Sequence, residues 1–332
     1  MNALQTAKKV VRQFHSELES ADSNQISDVL SAHVSQNCIW RGVHPFGELE
    51  GVQPIAETFW MPLKAAMPHL KIRDVVFFAG ANEIDHGGTV WVVSMGHLVG
   101  LFDAHWLGIR PTRKTALVRY CAFHRVEQGS IAESVMHVDI PDLMAQSGQN
   151  PFPPQTGAAL NQPGPATQDG LLFSPQPEAE STATLAVINS MIRNLGRWQS
   201  GLPLREELAL DWHDDMAWWG PAGIGSAFTI DRYARQHAGP FRASFANRSE
   251  TRHIARLAEG HYGGFFGWPN FTAEPVGGFM GMPATGKPGE FRVIDIYRRA
   301  GEKLAENWVF IDLLHFWKQQ GVDFLARHAD LD

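Results

Sequence analysis

Cysteine is nearly missing from this chain: Cys38 and Cys121 are the only two in 332 residues, and they form no CxxC pair. That scarcity argues against a disulfide framework and a Cys-based zinc site, and it points to the reducing cytoplasm. Long apolar runs are missing too. No stretch approaches the roughly 20 residues needed to cross a bilayer, and the opening Met1-Asn2-Ala3-Leu4-Gln5-Thr6-Ala7-Lys8-Lys9 lacks the apolar run of a signal peptide. The expectation is a soluble, cytoplasmic protein with no membrane partner. Nor is there a basic stripe. The 28 Lys and Arg are interspersed among 35 Asp and Glu, for a net charge of −7, which argues against a nucleic-acid partner. Gly263-Gly264 and Gly277-Gly278 lack the spacing of a phosphate cradle.

Aromatic residues are plentiful instead. With 11 Trp, 20 Phe and 44% hydrophobic residues, the chain can fill two cores and still line a cavity. Its length also favours two domains. Between Ser147 and Ser181 the composition changes: seven prolines replace the periodic apolar residues. Proline removes backbone donors and excludes helix, so an extended linker is expected over 147–181. Leu171-Leu172-Phe173 is its one apolar patch, able to pin it to a domain. This gives domains over 1–146 and 182–332.

The two domains are related. A shift of 173 aligns Gly108–Gly148 with Gly281–Gly321 without a gap, and ten of 41 positions are identical. Among them are Arg119/Arg292, Arg125/Arg298, Glu133/Glu306 and Asp139/Asp312. A shift of 178 aligns Cys38–Met67 with Met216–Phe245, matching Trp40/Trp218 and Gly42/Gly220, so the second copy lacks five residues in between. Two collinear blocks indicate duplication. Each copy reads helices first, with Val10, Val11, Phe14 and Leu18 at helical spacing in one and Leu185, Ile188, Met191, Ile192 and Leu195 in the other. Strand-like runs follow, with Gly129 and Gly301 at the last hairpins. The fold expected is α+β: two tandem cone-shaped domains, each with N-terminal helices packed on a curved antiparallel sheet.

The stretch Gly278-Phe279-Met280-Gly281-Met282-Pro283-Ala284-Thr285-Gly286-Lys287-Pro288, then Ile294-Asp295-Ile296-Tyr297-Arg298 and Lys303-Leu304-Ala305-Glu306-Asn307-Trp308, resembles the SnoaL-like polyketide cyclases of the nuclear-transport-factor-2-like superfamily. Trp218-Trp219-Gly220-Pro221 and, in the first copy, His44-Pro45-Phe46-Gly47 belong to the same likeness. The resemblance implies a cavity in which an acidic residue removes a proton α to a ketone, with ring closure or isomerisation following, and with neither metal nor organic cofactor. It also implies an acid on the last strand. Val309 stands there in the second copy and Met136 in the first. That substitution keeps a second reading open, a non-catalytic binder of small ligands.

Asp295 is the favoured base, because a carboxylate desolvated among aromatics has a raised pKa. Its counterpart in the first copy is Ala122. Strand alternation places Asp295 either in the cone or outside it, depending on where Ile294 and Ile296 face. Tyr297 and Asn307 share its phase as helper donors or as cross-strand packing. Asp139 and Asp312 are catalytic candidates, but their retention in both copies favours a structural role, capping the C-terminal segment or pairing with Arg125 and Arg298. His137 with Asp139 is a further acid–base candidate. Ligand contacts are expected from Trp40, His44, His124, Trp218, Trp219, His237 and Trp308, each with a core role as the plain alternative. The partner expected is a small, mainly apolar or polycyclic molecule. The two domains are expected to pair within the chain as a homodimer would, and a homodimer of the whole chain is also compatible.

Overall fold

The computed structural model describes residues 3–196 and 201–329 and divides into two units. The first comprises residues 1–151, 166–175 and 323–332, the second 152–165 and 176–322. Among the described residues no helix is long and apolar enough to cross a membrane.

The first unit opens with helix α1 (Ala3–Ser20), whose residues Ala7, Val11, Phe14 and Leu18 recur at helical spacing and are buried. Helix α2 (Ile26–His33) leads into strand β1 (Val34–Gly42) and the short β2 (Gly47–Glu50). Helices α3 (Val52–Ile55) and α4 (Met61–Ala66) follow, joined by a π-helical turn over Ala56–Trp60. Strands β3 (Lys71–Ala81), β4 (Val90–Leu101), β5 (Thr115–Glu127) and β6 (Ser130–Val138) complete the sheet, and helix α5 (Ile140–Gln146) closes the unit.

The second unit repeats this order. It contains α6 (Glu178–Leu195), α7 (Leu204–Leu208), β7 (Trp212–Trp219), β8 (Ser226–Phe228) and α8 (Ile230–Tyr233), then a π-helical turn over Ala234–Ala238 and α9 (Gly239–Ser244). Strands β9 (Phe245–Ala246), β10 (Ala255–Glu259), β11 (Tyr262–Pro275), β12 (Gly289–Ala300) and β13 (Lys303–Ile311) come next. Helix α10 (Leu313–Gln319) follows, and α11 (Phe324–Ala329) is counted with the first unit. Both units are thus α+β, with helices on one curled sheet.

Strand order is β2-β1-β6-β5-β4-β3 in one unit and β8-β7-β13-β12-β11-β10 in the other. Register agrees as well. Trp40 pairs with Ser134 as Trp218 pairs with Asn307, and Ala122 faces Met136 as Asp295 faces Val309. Each pair obeys the sequence shifts of 178 and 173. Where the shift changes, residues 82–89 join β3 to β4, whereas residues 260–261 suffice between β10 and β11. In β11 the register breaks between Gly267 and Phe271, a bulge with no counterpart in β4. The shorter hairpin, partly offset by the bulge, is the main source of the missing residues.

Two expectations need correction. The sheets are not wholly antiparallel: β1 runs parallel to β6, and β7 to β13. These strands are far apart in sequence, so no hairpin dictates their relative direction. The Pro-rich stretch over 147–181 is also not one uninterrupted linker. Ala158 exchanges backbone hydrogen bonds with Ser226 of the edge strand β8, at 2.8 and 2.9 Å. Gly170 and Leu172 bracket Phe77 of the edge strand β3, both at 2.8 Å. Proline denies the stretch regular structure of its own, and its remaining amides and carbonyls satisfy two open sheet edges.

Candidate functional site

A cavity of roughly 180 Å³ lies in the second unit. One wall comes from the sheet. Alternation along β12 puts Asp295 and Tyr297 on a single face, and Asn307 and Val309 of β13 stand opposite them in register. Trp212 and Trp218 of β7 extend the wall. The helices supply Met191, Leu195, Tyr233 and His237, and the loop and bulge around β10 and β11 add Arg248, His253 and Asn270.

Asp295 is buried and lines the cavity, with Ile294 and Ile296 buried on the other face of the strand. Of the two orientations open from the sequence, the structure adopts the inward one. Asn307 Nδ2 donates to Asp295 Oδ1 at 3.2 Å and to the Ile296 carbonyl at 3.0 Å, and Tyr297 hydrogen-bonds the same carboxyl. Burial pushes the Asp295 pKa up to about 7, against the opposing pull of those two hydrogen bonds. Tyr297 is raised well above the usual phenol range, by burial first and the nearby carboxylate second.

Two histidines are neutral here. His237 stacks on Trp218 with ring centroids 4.2 Å apart, and burial takes its pKa down to about 3. His253 stacks on Phe265 at 4.0 Å, and burial, with Arg256 and Arg248 nearby, takes it to about 3 as well. Arg256 Nε donates to His253 Nδ1 at 3.2 Å. In a neutral ring the proton therefore sits on Nε2, which is buried and has no protein partner. Trp212 Nε1 is likewise buried without a protein acceptor, and an indole N–H can only donate.

Five of the expected residues, Asp295, Tyr297, Asn307, Trp218 and His237, meet in this cavity. The others go elsewhere. Asp139 and Asp312 lie outside the cavity's lining and are helix N-caps, accepting from Asp142 N at 3.2 Å and His315 N at 3.1 Å. Their arginine neighbours are Arg119 at 3.8 Å and Arg292 at 3.9 Å, while Arg125 and Arg298 bond Glu133 and Glu306. His137 faces Cys121 in register, so alternation sets it on the opposite sheet face from His124.

Trp219 and Trp308 alternate away from Trp218 and Asn307, and Trp308 Nε1 donates to the Pro163 carbonyl at 3.3 Å. Trp40 packs on Phe59 at 4.9 Å in a cluster with Phe46 and Trp106. It lies near the end of β1, as Trp218 and Trp219 lie at the end of β7. His44 Nε2 is 3.7 Å from Asp323. His124 Nδ1 pairs with Ser134 Oγ at 2.8 Å beside Phe14 and His15. Trp212, Tyr233, Arg242, Arg248 and His253 were not anticipated. The copy alignment held a clue to one: Trp212 stands where the first copy has Val34.

Residues 269–320 match the model of the family described as SnoaL-like polyketide cyclase. The likeness to that family therefore falls within the second unit, over β12, β13 and the helix that follows them. The matched span includes Asp295, Tyr297 and Asn307, so the SnoaL-like motif and the buried carboxylate coincide. No curated protein matches the chain. Among solved structures it is similar to TsrD from Streptomyces laurentii, at 21% identity over 41% of this chain and 96% of that one, with a TM-score of 0.33. A SnoaL-like polyketide cyclase from Agrobacterium tumefaciens matches at 15% identity over 41% and 96%, with a TM-score of 0.32. An NTF2-like protein from Burkholderia xenovorans matches at 14% over 42% and 97%, also with a TM-score of 0.32.

Proposed function

We propose that the second unit is an enolising enzyme in which Asp295 takes a proton from the carbon α to a ketone. The observation that carries this reading is the buried Asp295 carboxyl, raised to about 7 and held by Asn307 and Tyr297 inside an aromatic cavity. A base with that pKa is substantially ionised at neutral pH and strong for a carboxylate. The two donors fix its orientation. The enolate oxygen formed by proton loss accepts from Trp212 Nε1–H, a buried donor with no competing protein acceptor. Attack of the enolate carbon on a second carbonyl of the substrate closes a ring, and the alkoxide so formed takes up the proton held by Asp295. Return of the proton from Asp295 to another carbon isomerises the substrate instead.

Polyketide-like ketones are the substrate class, and the cavity limits their size. A cavity of about 150 Å³ takes up a benzene ring, so a cavity of roughly 180 Å³ encloses a ring-sized portion of the ligand. This narrows the polycyclic expectation. A second reading, a non-catalytic binding protein, is favoured by one observation: Val309, which lines the cavity opposite Asp295, stands where the resemblance implies an acid.

Hydrogen–deuterium exchange followed by NMR separates the two. Cyclic ketones would be incubated in heavy water with the full chain and with its Asp295→Asn variant. Enzyme-dependent exchange lost in the variant supports the enolising reading. Binding without accelerated exchange supports the binder.

A further inference from the structure

The cavity has more positive charge and more spare donors than removal of one proton calls for. Arg242 and Arg248 both line it. Arg242 is matched by Glu207, which accepts from both of its terminal nitrogens. Arg248 donates to the Ser249 carbonyl at 3.3 Å and to Thr251 Oγ1 at 2.7 Å, and lies 4.4 Å above the Phe271 ring. Burial and the charge of Arg242 both push its pKa down from the usual guanidinium range. Beside it the buried Nε2–H of His253 has no protein acceptor. A half-buried guanidinium next to a buried N–H that has no protein acceptor is an arrangement that an anion stabilises: the N–H gains the acceptor it lacks, and the nearby positive charge favours a charged acceptor over a neutral one.

We propose, building on the enolising site above, that the ligand carries a carboxylate received by Arg248 and His253, so that the substrate is a ring-sized keto acid rather than a neutral ketone. Phosphate monoesters suit the cavity less well. Their larger charge would need more cationic partners, and Arg242 is already committed to Glu207. The carboxylate also orients the ring: anchored at the arginine end, it leaves the ketone's α-carbon to the Asp295 wall.

The test compares 3-oxocyclohexane-1-carboxylate with its methyl ester on the full chain, by calorimetric titration and by deuterium exchange. The acid is expected to bind at least tenfold more tightly than the ester. That preference falls several-fold in Arg248→Met and in His253→Phe, is partly restored in Arg248→Lys, and persists in Asp295→Asn. Equal binding of acid and ester by the unsubstituted chain, binding of neither, or a preference untouched by Arg248→Met overturns the proposal. The two readings fail separately. A preference for the acid without exchange of its α-protons keeps the carboxylate site and removes the enolising activity. Exchange of the ester without a preference does the reverse.

Discussion

Asp295 of the second unit and Ala122 of the first hold the same place in the same sheet, facing Val309 and Met136 in identical register. Around them the two units have taken different courses. In the first, Trp40 packs on Phe59, and the positions of Tyr297 and Asn307 are taken by His124 and Ser134, bonded to each other. Burial takes His124 down to about 3, so this pair is neutral. In the second, His237 replaces Phe59 beneath the corresponding tryptophan, and a carboxyl enters the wall. The frame is set by features common to both copies: the parallel first and last strands, the π-helical turn at the same point, and Asp139 or Asp312 capping the helix that follows the sheet. Chemistry was free to change at positions where only the cavity notices.

The comparison breaks most visibly at Asp295. Asp295→Asn should slow α-proton exchange by about 10²- to 10⁴-fold, the usual range for a lost general base. Ser134→Ala, at the first unit's counterpart of Asn307, should leave exchange unchanged, and a comparable loss there would place chemistry in both units. Stability gives the next effect. Because the folded pKa of Asp295 is raised, the native state binds a proton that the unfolded state releases above about 4. Its burial therefore weakens folding as pH climbs from about 4 to about 7. Asp295→Asn should remove that cost, stabilising the protein at pH 8 by up to about 4 kcal/mol, with the gain vanishing near pH 4. Denaturant titrations at both pH values check this.

Trp212→Phe keeps the ring and deletes the N–H. It should lower the exchange rate constant by about 10²-fold while altering ligand affinity little, whereas Val34 in the first unit has no such donor to lose. The smallest effect should be the same in both units. Asp139→Ala and Asp312→Ala each remove a helix cap and should cost about 1 kcal/mol, measurable by thermal unfolding. Retained exchange in Asp312→Ala would keep it out of the chemistry.

Much of the frame was legible because it is periodic or repeated. Val11, Phe14 and Leu18, read at helical spacing, are buried along α1, and the two shifts agree with the strand register. Asp295, Tyr297 and Asn307 could be placed on one face from alternation alone. What escaped was long-range. Whether that face pointed inward depended on burial on both sides of the sheet, which the buried Ile294 and Ile296 made ambiguous. Arg248 and His253 reach the cavity from an irregular loop with no period to read, and Trp212 was masked by the more visible Trp218-Trp219 pair. Asp139, Asp312 and His137 entered as candidates by residue type alone, because neither the sheet face nor the cap can be read from spacing.

The titration of the Asp295 carboxyl itself tests this account most directly. It can be followed by carbon-13 NMR of aspartate-labelled protein, with the resonance identified by its loss in Asp295→Asn. A midpoint near 7 that moves when a ketone ligand binds is the predicted result. A midpoint near 4, unmoved by ligand, would mean a solvated carboxylate outside the cavity and would contradict the assignment of the base.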